Sequence, residues 1–281
     1  MGLRIVRVLL AATLVTGCGE SPGDDPTPDA AVVGATWQPL VTKSWSLPPG
    51  GENTSELQIL NVAEDMYIGG MRPLAPLGTH HTLLFRGVSG TNAIYASGVG
   101  TNELMFPAGT GLKLEAGTLI GLQLHIYNPS DETITGVSGI EIIPRDAADV
   151  SQEIDLFLPG PRALAIPANQ VSTKTGTCTV SGSQKLFALF PHMHQLGTHF
   201  KTTLTVGGVD QVLHDEAYDF EHQPVKEFNA ISLSAGDKIT TECTWNNTTG
   251  SVVGYGESST TEMCYSILYR YPRGTEEFCT Q

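Results

Sequence analysis

The sequence LIGLQLHIYN, residues 119–128, alternates apolar and polar side chains with a period of two. In an extended strand, the apolar side chains at positions 120, 122, 124 and 126 lie on one face, and those of Gln123 and His125 lie on the other. Such alternation is typical of a half-buried strand. It predicts that the first face packs in a core and that His125 points out of it.

Similar short segments, separated by turns rich in Gly and Pro, recur along the whole chain. The sequence contains 31 Gly and 17 Pro, only 16% charged residues, and no long apolar pattern with a helical period. The strand-like segments are residues 45–47, 56–62, 176–180, 185–194, 198–206, 238–245 and 263–271. This arrangement predicts an all-β fold built from sandwiches. The pattern weakens over residues 146–153, so we expect two domains, 35–150 and 151–281, with a boundary near Val150.

The first 34 residues predict export. Arg4 and Arg7 precede an apolar run at residues 8–15 that is too short to span a bilayer. The run ends in Val15-Thr16-Gly17-Cys18, which resembles the bacterial lipoprotein signal, where cleavage precedes a cysteine that then carries a lipid. We therefore expect a signal peptide at 1–17, a lipid on Cys18, a disordered tether at 18–34, and anchoring to a bacterial cell-envelope membrane on its periplasmic or cell-surface face. An ordinary secretory signal is the alternative.

The charge of the chain disfavours one class of partner. The formal net charge is −14, and removal of residues 1–17, which carry two arginines and no acid, makes it −16. A nucleic acid would be repelled by this charge, so no nucleic-acid partner is expected.

Four cysteines remain after Cys18, an even number that suits an oxidising compartment. They are Cys178, Cys243, Cys264 and Cys279, all in the second half of the chain. Four cysteines allow three pairings, and their spacing does not choose among them. The first half must be stabilised by packing alone.

The sequence LFPHMHQLG, residues 189–197, contains a possible metal-ligand pair. His192 and His194 are two positions apart, so on a strand they point the same way, whereas Met193 points to the opposite side and is expected in the core. A third ligand is available in Glu262-Met263-Cys264. A thioether is a soft donor that favours copper, particularly Cu(I), over zinc.

A second set of possible ligands lies in the first half, where His80 and His81 are adjacent and His125 follows on the strand described above. Adjacent residues on a regular strand face opposite ways, so both can hold one ion only if the backbone bends there or the rings use different nitrogens; Gly78 allows a bend. The alternative is one buried and one exposed histidine. His199, His214 and His222 fit no motif, and we expect them at the surface or in turns.

With these segments in this order, the sequence resembles the copper type II ascorbate-dependent monooxygenases, a family that includes peptide-amidating and dopamine-hydroxylating enzymes. The resemblance covers most of residues 45–279. Its matching segments are Thr79–Phe85, Leu122–Pro129, His192–Gly197, Thr241–Thr244 and Glu262–Cys264, the last closing on Tyr269–Pro272.

The resemblance implies a fold and a chemistry. It implies two tandem antiparallel jelly-roll β-sandwich domains that face each other across a cleft, with one copper ion on each. His80, His81 and His125 would hold the electron-transfer copper, and His192, His194 and Met263 the copper at which O2 reacts with a substrate C–H bond. Ascorbate or another reductant would supply two electrons, and Gln123 would help electrons or substrate across the cleft. It also implies the disulfides Cys178–Cys279 and Cys243–Cys264.

The sequence also departs from the family. It has no cysteine between Cys18 and Cys178, where animal members carry several disulfides. In the peptide-amidating branch an arginine and a tyrosine grip the substrate carboxylate, and the matching positions here are Phe190 and Ile267. We therefore expect a small organic substrate that is less polar or differently shaped.

Three alternatives to a monooxygenase remain open. The first is a non-catalytic exported copper-binding lipoprotein that stores, senses or delivers metal. The second is a cupin-like enzyme with one metal, although the glutamate usual after its His-x-His motif is absent from residues 195–200. The third is a jelly-roll binding module with vestigial histidines.

Overall fold

The computed structural model describes residues 36–88, 92–256 and 258–279. The predicted signal peptide, Cys18 and the tether at 18–34 lie outside the described residues. Within the part that is described, no helix is long and apolar enough to cross a membrane.

Strands make up most of the described chain, as the short alternating segments predicted. The only helical element among the described residues is one 3₁₀ turn, Ala147–Asp149. The strands before it are β1 (Gln38–Leu47), β2 (Glu52–Asn61), β3 (Met66–Leu74), β4 (Thr79–Arg86), β5 (Ala93–Ser97), β6 (Leu104–Met105), β7 (Thr110–Leu114), β8 (Leu119–Tyr127) and β9 (Ile134–Arg145). The strands after it are β10 (Gln152–Glu153), β11 (Asp155–Pro159), β12 (Ala165–Ile166), β13 (Gln170–Thr179), β14 (Gln184–His192), β15 (Gly197–Val206), β16 (Val209–Ala217), β17 (Lys226–Leu233), β18 (Lys238–Asn247), β19 (Val253–Gly254), β20 (Tyr265–Tyr271) and β21 (Phe278–Cys279).

The strands of the described residues form five sheets. Strands β1 to β10 build two of them, in the orders β1-β9-β3-β7-β10, with β6 beside β3, and β2-β8-β4-β5. Strands β11 to β21 build the other three, in the orders β17-β14-β20-β11-β21, β13-β18-β15-β16 and β12-β19. Most neighbours are antiparallel, and the short pairs β7–β10 and β11–β21 are parallel. The fold is therefore all-β, as predicted.

Strand β8 lies inside its sheet, between β2 and β4. Its apolar side chains at positions 120, 122, 124 and 126 are at most 1% exposed, whereas Gln123 and His125 are only partly buried. Burying each such apolar side chain stabilises the fold by about 1.5–3 kcal/mol. Gly121 gives room to the ring of Phe85 on β4, since a Cβ at this glycine would lie 2.3 Å from that ring. Because the apolar side chains of β8 are buried on one face, His125 must point from the other face.

The two sets of strands share no sheet among the described residues, yet they pack on one another. The largest cluster of buried apolar side chains includes residues from both sets. Within it, the ring of Phe106 lies 6.0 Å from that of Phe187 and 6.5 Å from that of Tyr269, between centroids. The domain boundary near Val150 stays a prediction.

Two disulfides and one ion pair tie the second set of strands together. Cys178 is bonded to Cys279, and Cys243 to Cys264, which are the pairs that the resemblance implied. The Arg270 guanidinium donates to both carboxylate oxygens of Asp155, at 2.8 and 3.1 Å, and is itself 4% exposed. This bidentate pair fixes β11 against β20, the strand that follows Met263.

Candidate metal centres

The first histidine group consists of His80, His81 and His125. His81 on β4 lies opposite His125 on β8, and the pairing of these strands shifts register between Thr79 and His81. Such a shift places an extra residue on one strand and bends it locally. The rings of His80 and His81 therefore both lie beside that of His125, at 4.9 and 5.6 Å between centroids. Gly78, with φ +99°, precedes the bend.

The three rings of this group point the same nitrogen inward. The Nδ1 atoms of His80 and His81 are 3.1 Å apart, and those of His81 and His125 are 3.4 Å apart. One ligand atom from each of the three histidines lies within 4.8 Å of the others. Bonds of about 2 Å from one ion to several imidazoles would separate the nitrogens by roughly 3–3.5 Å. The spacing of the Nδ1 atoms therefore fits one metal ion.

The outward nitrogens of the same rings have partners of their own. His80 Nε2 lies 3.2 and 3.3 Å from the carboxylate oxygens of Glu221, and His125 Nε2 lies 2.7 Å from Glu52 Oε1. His81 Nε2 lies 3.1 Å from the side-chain nitrogen of Gln223. Metal-binding histidines commonly donate the other ring N–H to a carboxylate, as His80 and His125 can here, which fixes the ring orientation.

The second metal group consists of His192, His194 and Met263. His192 ends β14 and His194 follows it in the loop, with 5.2 Å between the ring centroids. His194 Nδ1 donates to Thr261 O at 2.9 Å, and His192 Nδ1 donates to Gln223 Oε1 at 3.4 Å. In both rings Nε2 is therefore the nitrogen left to a ligand.

Glu262 holds the loop that carries the second metal group. Its buried carboxylate accepts from the main-chain nitrogens of His194 at 2.9 Å and Leu196 at 2.7 Å, and from Trp245 Nε1 at 2.9 Å. Burial raises the pKa of Glu262, and these hydrogen bonds oppose that rise. Since Met263 is the next residue, and Cys264 beside it is bonded to Cys243, one short segment positions both the histidine loop and the thioether.

Burial keeps most of these imidazoles neutral. It lowers the pKa of His81 well below its ordinary value, with the neighbouring His80 adding to the effect. Burial and His194 together lower the pKa of His192 to about 3, and burial lowers the pKa values of His125 and His194. A metal competes with protons for the ring nitrogen, so a lowered pKa leaves the lone pair available at neutral pH.

Both groups face one cavity of about 370 Å³. Its lining includes His81 and His125 from the first group and all three members of the second. Gln123 also lines it and donates to Thr54 O at 3.2 Å. Much of the remaining wall is apolar and comes from Leu156, Leu158, Phe190, Tyr265, Ile267 and Phe278. The structure thus brings every predicted ligand to one cavity or its immediate edge, where His80 contacts His81.

Comparison with known proteins agrees with this arrangement. A family profile described as copper type II ascorbate-dependent monooxygenase, C-terminal domain, matches residues 156–281. Dopamine beta-hydroxylase of Rattus norvegicus is 26% identical over 208 residues, which cover 67% of this chain and 33% of that protein. The DBH-like monooxygenase protein 1 of Mus musculus is 28% identical over 210 residues, covering 64% of this chain and 33% of that protein. By these matches, the second half of the chain is similar to the C-terminal domain of the copper type II ascorbate-dependent monooxygenases. The chain spans about a third of the length of these curated relatives.

The two positions that depart from the peptide-amidating branch lie next to each other. Phe190 on β14 and Ile267 on β20 are register partners, and they are 1% and 5% exposed. Both line the cavity, and the ring of Phe190 stacks on that of His192 with 5.9 Å between centroids. The wall beside the second metal group is therefore apolar at this point.

Sequence reasoning missed four residues that orient the histidines, namely Glu52, Glu221, Gln223 and Glu262. Glu262 belongs to the segment Glu262–Cys264 that matches the family, but no sequence pattern predicted its contacts to the histidine loop. Glu221 and Gln223 lie between β16 and β17 in a stretch without periodicity. Glu52 begins β2, and only the pairing of β2 with β8 brings it to His125.

One expectation about the remaining histidines is wrong. His214 on β16 is 7% exposed, with its ring 5.8 Å from that of Phe200, because β16 packs at the edge of its sheet against β15. His199 pairs with Asp215 at 3.1 Å and is partly exposed, and His222 is exposed between β16 and β17. Met193 is fully buried, as predicted.

Proposed function

We propose that this chain is an exported copper-dependent monooxygenase that hydroxylates a C–H bond of a small, largely apolar organic molecule. It uses O2 and an external one-electron reductant, either ascorbate or a substitute. The observation that carries the proposal is the shared cavity, where two different donor sets face an apolar wall. A protein that only stores one metal has no need for a second donor set or for room beside it.

The donor sets fit two copper ions of different roles. The Nδ1 atoms of His80, His81 and His125 offer three imidazoles at a spacing that suits one ion. The second metal group offers two imidazoles through Nε2 and one soft thioether, a combination that favours Cu(I). Copper, when bound, would supply the one-electron steps and the reaction with O2 that no protein side chain can provide.

The chain itself would bind and orient the substrate. Phe190 and Ile267 present an apolar surface beside His192, which excludes water and suits a hydrocarbon group. One oxygen atom would enter the substrate as a hydroxyl group and the other would leave as water, consuming two electrons and two protons. Gln123, which lines the same cavity, would contact substrate between the two groups.

The proposal includes a fold and a location. The two sets of strands, 35–150 and 151–281, would form jelly-roll sandwiches that face each other across a cleft, which is supported by the finding that no described sheet contains strands of both sets. The predicted lipid on Cys18 would hold the enzyme at a bacterial cell-envelope membrane. The two disulfides suit such an oxidising location.

The test combines metal content with oxygen consumption. The purified full chain should bind two copper ions, measured by mass spectrometry. With ascorbate and catalase present, a panel of small aromatic and aliphatic compounds should contain at least one that accelerates O2 uptake and gains one labelled atom from ¹⁸O2. The double variant His192→Ala/His194→Ala should keep one copper and lose this uptake.

Two results would overturn the proposal. One copper per chain, or none, would show that the donor sets do not both bind. Two coppers without substrate-dependent O2 uptake across the panel would instead indicate copper storage, sensing or delivery.

A further inference from the structure

The side chain of Gln223 touches both metal groups. Gln223 is 2% exposed, its Nε2 lies 3.1 Å from His81 Nε2, and its Oε1 lies 3.4 Å from His192 Nδ1. One amide therefore joins an imidazole of the first histidine group to an imidazole of the second metal group.

The orientation of this amide is set by a third contact. Gln223 Nε2 also donates to Phe220 O at 2.8 Å, and a carbonyl oxygen can only accept. The NH2 group must therefore face Phe220 and His81, and the oxygen must face His192. Exchanging the two ends would set two acceptors against each other at Phe220.

The main chain around Gln223 is fixed as well. Its nitrogen donates to Val99 O at 3.0 Å, and its carbonyl oxygen accepts from Thr101 Oγ1 at 2.7 Å. The side chain packs on Gly98, where an added Cβ would lie 3.1 Å from Gln223 Cβ. The amide is held from both strand sets and has little freedom to turn away.

This orientation dictates where the proton of His81 resides. Because the NH2 group of Gln223 donates to His81 Nε2, that nitrogen must be the bare one and His81 Nδ1 must carry the proton. The Nδ1–H then donates to His80 Nδ1 at 3.1 Å. His80 and His125 have the opposite arrangement, since each uses Nε2–H to donate to a carboxylate, that of Glu221 or Glu52. One proton therefore lies among the three inward nitrogens.

Metal binding requires the other arrangement at His81. A neutral imidazole that binds metal through Nδ1 carries its proton on Nε2. That N–H would point at the NH2 group of Gln223 across 3.1 Å, so two donors would oppose each other. At His192 no conflict arises, because Nδ1–H donates to Gln223 Oε1 while Nε2 is left to the metal.

We propose that Gln223 is a positioning residue that couples the two metal groups, supporting metal at His192 and opposing metal at His81. The identity of the metal in this inference rests on the proposed function. The opposition at His81 is argued from the position of the His81 proton in the metal-free protein. Loading of the first histidine group then requires Gln223 to release His81, so the contact between the two groups is a feature of the metal-free state.

The first experiment needs no metal. Two-bond ¹H–¹⁵N correlation spectra of histidine-labelled, metal-free protein distinguish the two neutral ring forms, and single variants at positions 80, 81 and 125 assign the signals. We expect His81 in the Nδ1–H form and His80 and His125 in the Nε2–H form. In Gln223→Leu, which removes the donor to His81 Nε2, the Nε2–H form of His81 should become detectable. A His81 signal in the Nε2–H form in the unaltered protein would overturn the inference.

The second experiment measures Cu(I) affinity by competition with a chromophoric chelator. His192→Ala/His194→Ala reports the first histidine group, and His80→Ala/His125→Ala reports the second metal group. Adding Gln223→Leu should tighten binding by about tenfold in the first background and weaken it by about tenfold in the second. The matched control Gln211→Leu, at an exposed position of β16, should change neither affinity.

The affinity measurements distinguish failure of this inference from failure of the proposed function. If Gln223 had a purely structural role, Gln223→Leu would weaken Cu(I) binding by both groups. Cu(I) affinities that change in the same direction, or do not change, would therefore overturn the inference but not the proposed function. If neither parent double variant binds Cu(I), the proposed function fails, and the coupling of metal sites fails with it.

Discussion

His81 on β4 and His125 on β8 are register partners whose Nδ1 atoms lie 3.4 Å apart. Strand pairing sets the separation of their main chains, but it does not set which ring nitrogens face each other. That choice belongs to the outer contacts, with Gln223 behind His81 and Glu52 behind His125. The outer residues are therefore expected to control metal affinity although they do not touch the metal.

Removing the side chain of Glu52 should weaken metal binding by the first histidine group and not by the second metal group. Glu52→Ala leaves His125 Nε2–H without its acceptor at 2.7 Å, so the ring loses its fixed orientation. We expect Cu(I) affinity of this group to fall by about tenfold, measured in the His192→Ala/His194→Ala background. Glu132→Ala, at an exposed position, is the control and should keep the full affinity. Equal affinities in the two variants would contradict a role for Glu52.

The two disulfides should contribute unequally to stability. Cys178 and Cys279 are 101 residues apart, whereas Cys243 and Cys264 are 21 apart, and a longer closed loop costs the unfolded chain more entropy. Replacing the first pair by alanines should lower the free energy of unfolding by about 4–5 kcal/mol, and replacing the second by about 3 kcal/mol. Urea denaturation measures both losses.

The second disulfide should nevertheless matter more for copper, because Cys264 anchors the segment whose Glu262 holds the histidine loop. We expect Cys243→Ala/Cys264→Ala to lower copper occupancy of the second metal group, while Cys178→Ala/Cys279→Ala retains it. The reverse order of occupancies would show that the bond between Cys243 and Cys264 does not position this segment.

His214 should make stability depend on pH. Burial, with help from Lys226, lowers its pKa to about 4, while Glu216 and Asp215 oppose the shift and His199 adds to it. In the unfolded chain the pKa is near 6.5, so as pH falls the unfolded state takes up the proton first. The stabilisation is thus complete above about pH 6.5 and is lost as pH falls towards about 4.

The measurement is the urea midpoint of metal-free protein at about pH 7.5 and about pH 5. The difference between these midpoints should shrink in His214→Phe, which keeps an aromatic ring against Phe200 but cannot titrate. His222→Phe, at an exposed position, should leave the difference unchanged. If the urea midpoint changed with pH as much in His214→Phe as in the unaltered chain, His214 would not be a source of the pH dependence.

The parts of the fold that follow local alternation could be predicted from the sequence. On β8 the apolar face is continuous and no bulge interrupts it near Leu122, so the burial of one face and the outward direction of His125 followed directly. Adjacent His80 and His81 could not be placed in the same way. Their shared direction depends on a register shift against β8, which is a property of the strand pair and not of β4 alone.

Residues that act on the histidines from loops could not be predicted for a related reason. Gln223 reaches His81 only because its loop is bonded to Val99 and Thr101, more than a hundred positions earlier in the chain. For His214 the sequence predicted exposure, but the side chain is buried. Its neighbours in the sequence are polar, but the pairing of β16 with β15 covers its ring.

The thioether of Met263 should be needed for turnover but not for most metal binding. Met263→Leu keeps an apolar side chain in the cavity wall and removes only the sulfur. All five histidine ligands remain, four of them in the cavity wall and His80 beside His81. We expect this variant to retain most of its copper and to lose substrate-dependent O2 uptake by about 100-fold. The matched control is Met193→Leu, a fully buried position that packs near Phe200 and Trp245, where the change should cost less than about 1.5 kcal/mol. If both variants turned over at the same rate, the thioether would have no part in the reaction, and the second metal group would reduce to its two histidines.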